Sequence, residues 1–195
     1  MDELGRWSPE GYLEWVRREI ADYDLLQDQL VNATRKCFPN RILDLGSGTG
    51  ETARRLLAAH PDAELIGVDG SAEMLETANG SLEGKRVTFH VAQLEQPLPA
   101  GDFSLITSAL AIHHLTAVEK QDLYSRIASS LRSRGRFVLA DVVIPDDPAD
   151  TTIELSDYDR PSPIGDQLDW LDQAGLQPHL CWTSKDLAVI AADKE

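Results

Sequence analysis

The chain has 195 residues, a length suited to one substantial core and short for two domains. Its formal net charge of −15 is spread along the chain and not gathered in a tail, so the surface repels polyphosphate backbones and nucleic acid is an unlikely partner. The start MDELGRWSPE has neither a basic leader nor an apolar one, and no apolar run is long enough to span a bilayer, which reads as a soluble cytoplasmic protein. Cys37 and Cys181 lie far apart with no C-x-x-C spacing, as expected of two buried thiols in a reducing compartment. The basic pairs Arg17-Arg18, Arg35-Lys36 and Arg54-Arg55 sit among acids and read as solvated faces.

Ser8 and Pro9 predict a helix start, and Tyr12, Trp15, Val16 and Ile20 then recur at helical spacing. Leu26, Leu30 and Val31 continue after an interruption at Asp22-Tyr23-Asp24, giving a helix pair or one bent helix. Residues 1–40 are thus a helical cap on an α/β core over 41–195. The segment RILDLGSGTG, Arg41 to Gly50, is a buried strand that breaks into Gly46, Gly48 and Gly50 before a helix. Glycines at that spacing let a ligand lie against bare main chain.

Neighbouring residues narrow the ligand. A Walker loop needs Lys and Ser or Thr after its last glycine, but Gly50 is followed by Glu51 and Thr52. The dinucleotide fingerprint needs a third glycine where Glu51 stands, and a carboxylate there repels pyrophosphate. What remains is a phosphate-free nucleoside bearing positive charge, beside which Asp44 and Glu51 are acceptable. A helix over Thr52–His60, stopped by Pro61, leads to the strand ELIGVD. In a parallel sheet its final Asp69 stands beside the glycine turn and can accept both hydroxyls of a ribose.

Ser71 caps a helix with Met74, Leu75 and Ala78 inward, and Val87–Val91 is a third strand. Phe103–Leu110 is the fourth, running into His113 and His114 before a Thr116-x-x-Glu119 capping box. The helix that follows, with Leu123, Ile127 and Leu131 inward, is expected to end near Gly135. Phe137–Ile144 is the fifth strand, with Asp141 at or near its exit. The Pro- and Asp-rich segment 145–161 reads as a mobile loop with little core of its own. A helix from Ser162-Pro163 through Leu168, Leu171 and Ala174 stops at Gly175, and residues 176–183 and 187–192 form a closing hairpin.

The motifs DLGSGTG, VDGSAEML and SALAIHHL together resemble the class I S-adenosylmethionine-dependent methyltransferases, over nearly the whole chain from Arg41 to Ala192. The resemblance implies an α/β, Rossmann-like, seven-stranded, mostly parallel sheet with helices on both faces and a C-terminal antiparallel hairpin. It implies S-adenosylmethionine as cofactor, bound by Asp44, Gly46, Ser47, Gly48, Gly50, Asp69, Gly70, Met74, Gln93, Leu94, Ser108 and Tyr23. Similar enzymes pack an N-terminal element across the cofactor mouth, which makes Trp7, Tyr12, Trp15 and Tyr23 candidates for closing over the ligand, Tyr23 near its carboxylate. Where relatives place an aspartate on the adenine amino group this chain has Ala92-Gln93, and the Gln93 amide oxygen can accept instead. Loop 145–161 is shorter than the lid many relatives insert.

The implied chemistry is methyl transfer to a small-molecule acceptor, for which placement is the main task. A neutral imidazole is the natural base, His114 ahead of His113, since adjacent side chains are not expected to enter one crevice together. For the same reason, and for want of a third ligand, no zinc site is expected; Asp141, Asp146 or Asp147 would be needed for magnesium. Arg160 either binds a substrate carboxylate or pairs with Asp157. Other readings are a catalytically silent cofactor-binding module, a tRNA-modifying methyltransferase, and an NAD-dependent oxidoreductase, the last disfavoured by Glu51. Oligomeric state is open.

Overall fold

A computed structural model describes residues 9–195. Two helices, α1 (Tyr12–Glu19) and α2 (Tyr23–Thr34), precede β1 (Arg41–Leu45), α3 (Glu51–Ala59), β2 (Glu64–Asp69), α4 (Ala72–Ser81) and β3 (Val87–Val91). Then come β4 (Phe103–Ala109), α5 (Ala117–Ser130), β5 (Leu131–Ile144), β6 (Ser162–Pro163), α6 (Ile164–Gln173), β7 (Gln177–Ser184) and β8 (Leu187–Asp193). The strands lie in the order β3-β2-β1-β4-β5-β8-β7, with β6 paired to β5 off that path. All pairs from β3 to β5 are parallel, and β8 runs antiparallel to both β5 and β7. This is the predicted sheet, including its closing hairpin. Among the described residues, no helix is long and apolar enough to cross a membrane.

The central strands are apolar on both sides, as a sheet covered on two faces requires. Ile42, Leu65, Leu105, Val138 and Val189 face the core under α1, α2 and α3. Their sequence neighbours Leu43, Ile66, Ile106, Leu139 and Ile190 face the core under α5 and α6. The strand order reverses between β2 and β4 around β1, so the crevice for a ligand opens at the carboxyl ends of β1 and β4. Asp44, fully buried on β1, ties the two strands beneath that crevice: its Oδ1 accepts from the Thr107 hydroxyl at 2.8 Å and its Oδ2 from the Ser47 hydroxyl at 2.9 Å.

Several local expectations are corrected. Helix α1 begins at Tyr12, not at Pro9, because Gly11 takes the left-handed conformation at φ 75° just before it; the expected cap Ser8 lies outside the described residues. Helix α5 ends at Ser130, not near Gly135. Lys194 draws the chain out of the helix there: its Nζ donates to the Ala128 and Leu131 carbonyls, both at 2.7 Å, while its backbone pairs with Arg134 and Gly135. Asp141 lies near the exit of β5, as expected, and is fully buried there. Neither cysteine is buried: Cys181 is exposed on the edge strand β7, and Cys37 is half-buried in the connection between α2 and β1.

Segment 145–161 is also more firmly tied than its composition suggests. Asp186, buried in the β7–β8 turn, accepts from the Thr152 amide at 2.5 Å, the Ile153 amide at 2.7 Å and the Thr152 hydroxyl at 2.9 Å. Lys120, fully buried on α5, donates to the Arg160 carbonyl and, at 2.8 Å, to the Ser162 hydroxyl. Chain-distant polar groups therefore hold a loop that has few apolar side chains of its own. Asp186→Ala is expected to cost about 2–4 kcal/mol and to speed amide exchange at Thr152 and Ile153 well beyond that of the sheet, as measured by hydrogen exchange.

The buried Asp44 gives a second prediction. Burial, with a contribution from Asp69, raises its pKa to about 6 against the hydroxyl bonds that lower it. A folded-state pKa above the unfolded one means the group favours the fold fully below the unfolded value, and that this contribution is lost as pH rises through about 6. Asp44→Asn, which cannot ionise, is expected to be more stable than the parent at pH 8 by up to about 3 kcal/mol, with the gain gone near pH 4 in denaturant titrations.

Candidate active site

The glycine turn after β1 is pinned to the end of β2. The amides of Gly46 and Ser47 donate to the Val68 carbonyl at 2.8 and 3.0 Å, and the Gly48 amide donates to Asp69 Oδ2 at 2.8 Å. Gly46 has φ 73°, and a Cβ there would come within 2.2 Å of the Ala111 side chain beyond β4. Asp69 Oδ1 accepts the Ser71 amide at 2.9 Å, which leaves carboxylate lone pairs directed into the crevice.

A cavity of about 410 Å³ lies over this turn. It is lined by Tyr23, Gly46, Ser47, Gly48, Asp69, Gly70, Met74, Gln93 and Leu94, all predicted from the sequence. Three predicted residues do not line it. Asp44 and Ser108 are buried beneath the floor, Ser108 donating its hydroxyl to the Leu45 carbonyl at 2.9 Å, and Gly50 packs against Ala78 of α4. Tyr12, Gln27, Glu51, Thr52, Glu95 and Leu110 also line the cavity. Of these, Gln27 and Leu110 carry no local sequence signal. Gln27 enters because α2 crosses the sheet, where it accepts from the Thr52 hydroxyl at 3.1 Å and donates toward the Tyr23 hydroxyl. Leu110 sits at φ 54°, a strained conformation for a leucine, at the end of β4.

Three carboxylates, Glu51, Asp69 and Glu95, face this cavity, and among the described residues no lysine or arginine lines it. Glu51 is held by Arg54 at 2.8 Å and by Arg55 at 2.7 Å, and Arg55 also reaches Asp28 of α2 at 2.6 Å. Burial, with Asp69 nearby, pushes the Tyr12 phenol up to about 12, and burial raises Tyr23 as well, so both stay protonated donors.

Beyond Leu110 and His114, which line both, opens a second chamber of about 210 Å³. Its walls are Tyr12, Trp15, Val16 and Ile20 of the cap, Leu110 and Val142 of the sheet, and Ile153 and Leu155 of the tied loop. Tyr12 and Trp15 thus do stand over the site, with their rings 5.9 Å apart, while Trp7 lies outside the described residues. Its polar end is formed by His113, His114, Ser156 and Asp159, with Glu19 and Glu154 also lining it.

The two histidines do not diverge. The 3-10 turn Ile112–His114 brings their rings within 4.0 Å, and both face the chamber. His113 Nδ1 bonds Asp141 Oδ1 at 2.5 Å, and its amide donates to Asp141 Oδ2 at 2.9 Å. Burial works against its charged form, but Asp141 and Asp159 outweigh this and raise its pKa. His114 Nδ1 lies 3.0 Å from Asp159 Oδ1; burial and the neighbouring His113 lower its pKa. The acids proposed for magnesium do not converge. Asp141 is bound to His113, while Asp147 caps an exposed turn through the Ala149 amide at 2.9 Å. Arg160 directs its guanidinium to the Asp157 and Asp159 carbonyls, not to the Asp157 carboxylate, and does not line the chamber. Asp159 was missed by sequence reasoning, because an acid in an acid-rich loop has no distinguishing neighbour.

A family model described as a methyltransferase domain matches residues 42–135, a span that holds the glycine turn, Asp69 and both histidines. An uncharacterized methyltransferase of Geobacillus kaustophilus is 30% identical over 139 residues, covering 71% of this chain and 62% of that protein. A trans-aconitate 2-methyltransferase of Pseudomonas aeruginosa is 42% identical over 77 residues, 40% of this chain and 26% of that protein. The chain therefore spans less than two thirds of the length of these curated relatives. The crystal structure of the S-adenosylmethionine-dependent methyltransferase SibL in its apo form superposes with a TM-score of 0.75 at 19% identity, covering 94% of this chain and 58% of that one. Residues 42–135 thus match a methyltransferase domain, the relatives that match are named methyltransferases, and the strand order is the fold shared with an S-adenosylmethionine-dependent methyltransferase structure.

Proposed function

We propose that this chain transfers a methyl group from S-adenosylmethionine to a small, apolar acceptor that carries no negative charge. The observation that carries this reading is the pairing of two cavities: one over bare main chain with three carboxylates and no lining cation, the other apolar, joined at Leu110 and His114. When bound, S-adenosylmethionine supplies a methyl group on a positively charged sulfur. The acids Glu51, Asp69 and Glu95 favour such a cation and oppose phosphates. Asp69 holds the ribose hydroxyls, the protonated Tyr23 hydroxyl donates to the ligand's carboxylate, and Gln93 accepts the adenine amino group between Met74 and Leu94.

In the second chamber the acceptor lies against Trp15, Ile20 and Ile153 with its reacting atom toward His114. The proton it sheds leaves toward the His114–Asp159 pair. A tricarboxylate such as the one in the name of the Pseudomonas relative would meet Glu19, Glu154 and Asp159, with no lysine or arginine among the described lining residues to offset them. A tRNA acceptor is disfavoured by the same acids. The protein is expected to work in the cytoplasm.

Incubation with methyl-labelled S-adenosylmethionine and matched panels of neutral or cationic aromatic acceptors and of polycarboxylates tests this reading. Label is expected in the first panel only. Cofactor affinity without label in any acceptor, or in any metabolite extract, would instead favour a silent binding module. Asp69→Ala is expected to weaken S-adenosylhomocysteine by about 1–3 kcal/mol in calorimetry, the usual loss of a charge-assisted hydrogen bond.

A further inference from the structure

The polar end of the acceptor chamber has a feature that proton transfer alone does not use. One nitrogen from each of His113 and His114 and one oxygen of Asp159 lie within 4.8 Å of one another. Asp159 Oδ1 is 3.0 Å from His114 Nδ1 and 3.6 Å from His113 Nε2. The shorter is an ion-pair separation, and the longer exceeds a hydrogen bond. Around zinc, with ligand bonds of about 2.0–2.1 Å in a tetrahedron, neighbouring donor atoms stand roughly 3.3 Å apart, between the two separations at Asp159 Oδ1, while the two imidazole nitrogens lie within 4.8 Å of each other.

The outer groups are arranged to present those three atoms. Asp141 holds His113 Nδ1 at 2.5 Å, which turns Nε2 toward the chamber; a carboxylate behind a ligating imidazole both orients it and raises its basicity. Asp159 Oδ2 is taken by the Ser156 amide at 2.6 Å and the Ser156 hydroxyl at 2.9 Å, which leaves Oδ1 for the histidines. The backbone secures the loop to the turn as well, the Arg160 amide donating to the His113 carbonyl at 2.6 Å.

We propose that His113 Nε2, His114 Nδ1 and Asp159 Oδ1 form a binding site for a divalent transition metal, zinc foremost. Two imidazoles and one carboxylate suit a borderline ion of this kind better than magnesium or calcium, which favour oxygen ligands. Three protein ligands leave a position open, and here it faces the chamber, so the fourth ligand is water or the acceptor's own heteroatom. That role toward the acceptor rests on the proposed function; the ion site itself does not.

The test uses the full chain, stripped with a chelator and titrated with Zn²⁺ and, for its visible ligand-field bands, Co²⁺. One ion per chain is expected, with a Co²⁺ spectrum of low coordination number. Asp159→Asn and His113→Asn are expected to abolish it, and Asp141→Asn to weaken it about 10–100-fold. Folding of Asp159→Asn is checked independently of the site, its far-UV circular dichroism spectrum being expected to match the parent. Absence of uptake by the parent, or uptake undiminished in Asp159→Asn, would overturn the site. Loss of S-adenosylhomocysteine binding in the parent would count against the methyltransferase reading alone.

Discussion

The attachment of the glycine turn to the end of β2 is the interaction on which the rest of the site depends. The Gly46 and Ser47 amides are satisfied by the Val68 carbonyl, and the Gly48 amide by the Asp69 carboxylate. From below, Asp44 takes the Ser47 hydroxyl and reaches across to Thr107 on β4. Three parallel strands are thus locked at their carboxyl ends, with Asp44, Ser47 and Thr107 buried beneath the crevice. Burying an ionisable carboxyl at that junction opposes its charged form. Its return is a floor rigid enough that the turn needs no side chains of its own, which leaves main chain exposed to a ligand.

Electrostatics then separate what can occupy the two cavities. Acids concentrate at the crevice, while Arg54 and Arg55 pair with Glu51 without lining the cavity. A net charge of −15 alone argues only about solubility and long-range repulsion. Three carboxylates around a bare turn argue about a specific charge on a specific ligand. The second chamber repeats the acidic pattern at one end of an otherwise apolar lining.

The loop between β5 and α6 shows how a short polar segment becomes a wall. Asp186 and Lys120, both buried and both far away in sequence, satisfy its backbone and place Ile153, Leu155 and Asp159 opposite the cap. Asp159 then meets the two histidines that follow β4, beside the strained Leu110 that divides the cavities. The two cavities share that boundary, the geometry that the proposed transfer between two ligands needs.

The sequence by itself determined the sheet, its covering helices and most of the residues that line the cavity over the glycine turn. Apolar runs, glycine spacing, the Thr116–Glu119 box and an acid closing a strand are all local signals, and a parallel sheet brings strand ends together by construction. It did not determine where Asp44, Ser108 and Gly50 point, because alternation along a strand and packing against α4 decide which groups face the ligand and which lie beneath it. Nor could it join His113 and His114 to Asp159, more than forty positions later in the chain. That meeting is made by a 3-10 turn that folds two adjacent rings to one side and by a loop whose conformation is held from Asp186 and Lys120. Contacts of that separation leave no periodicity in the chain, and only the tertiary structure supplies them.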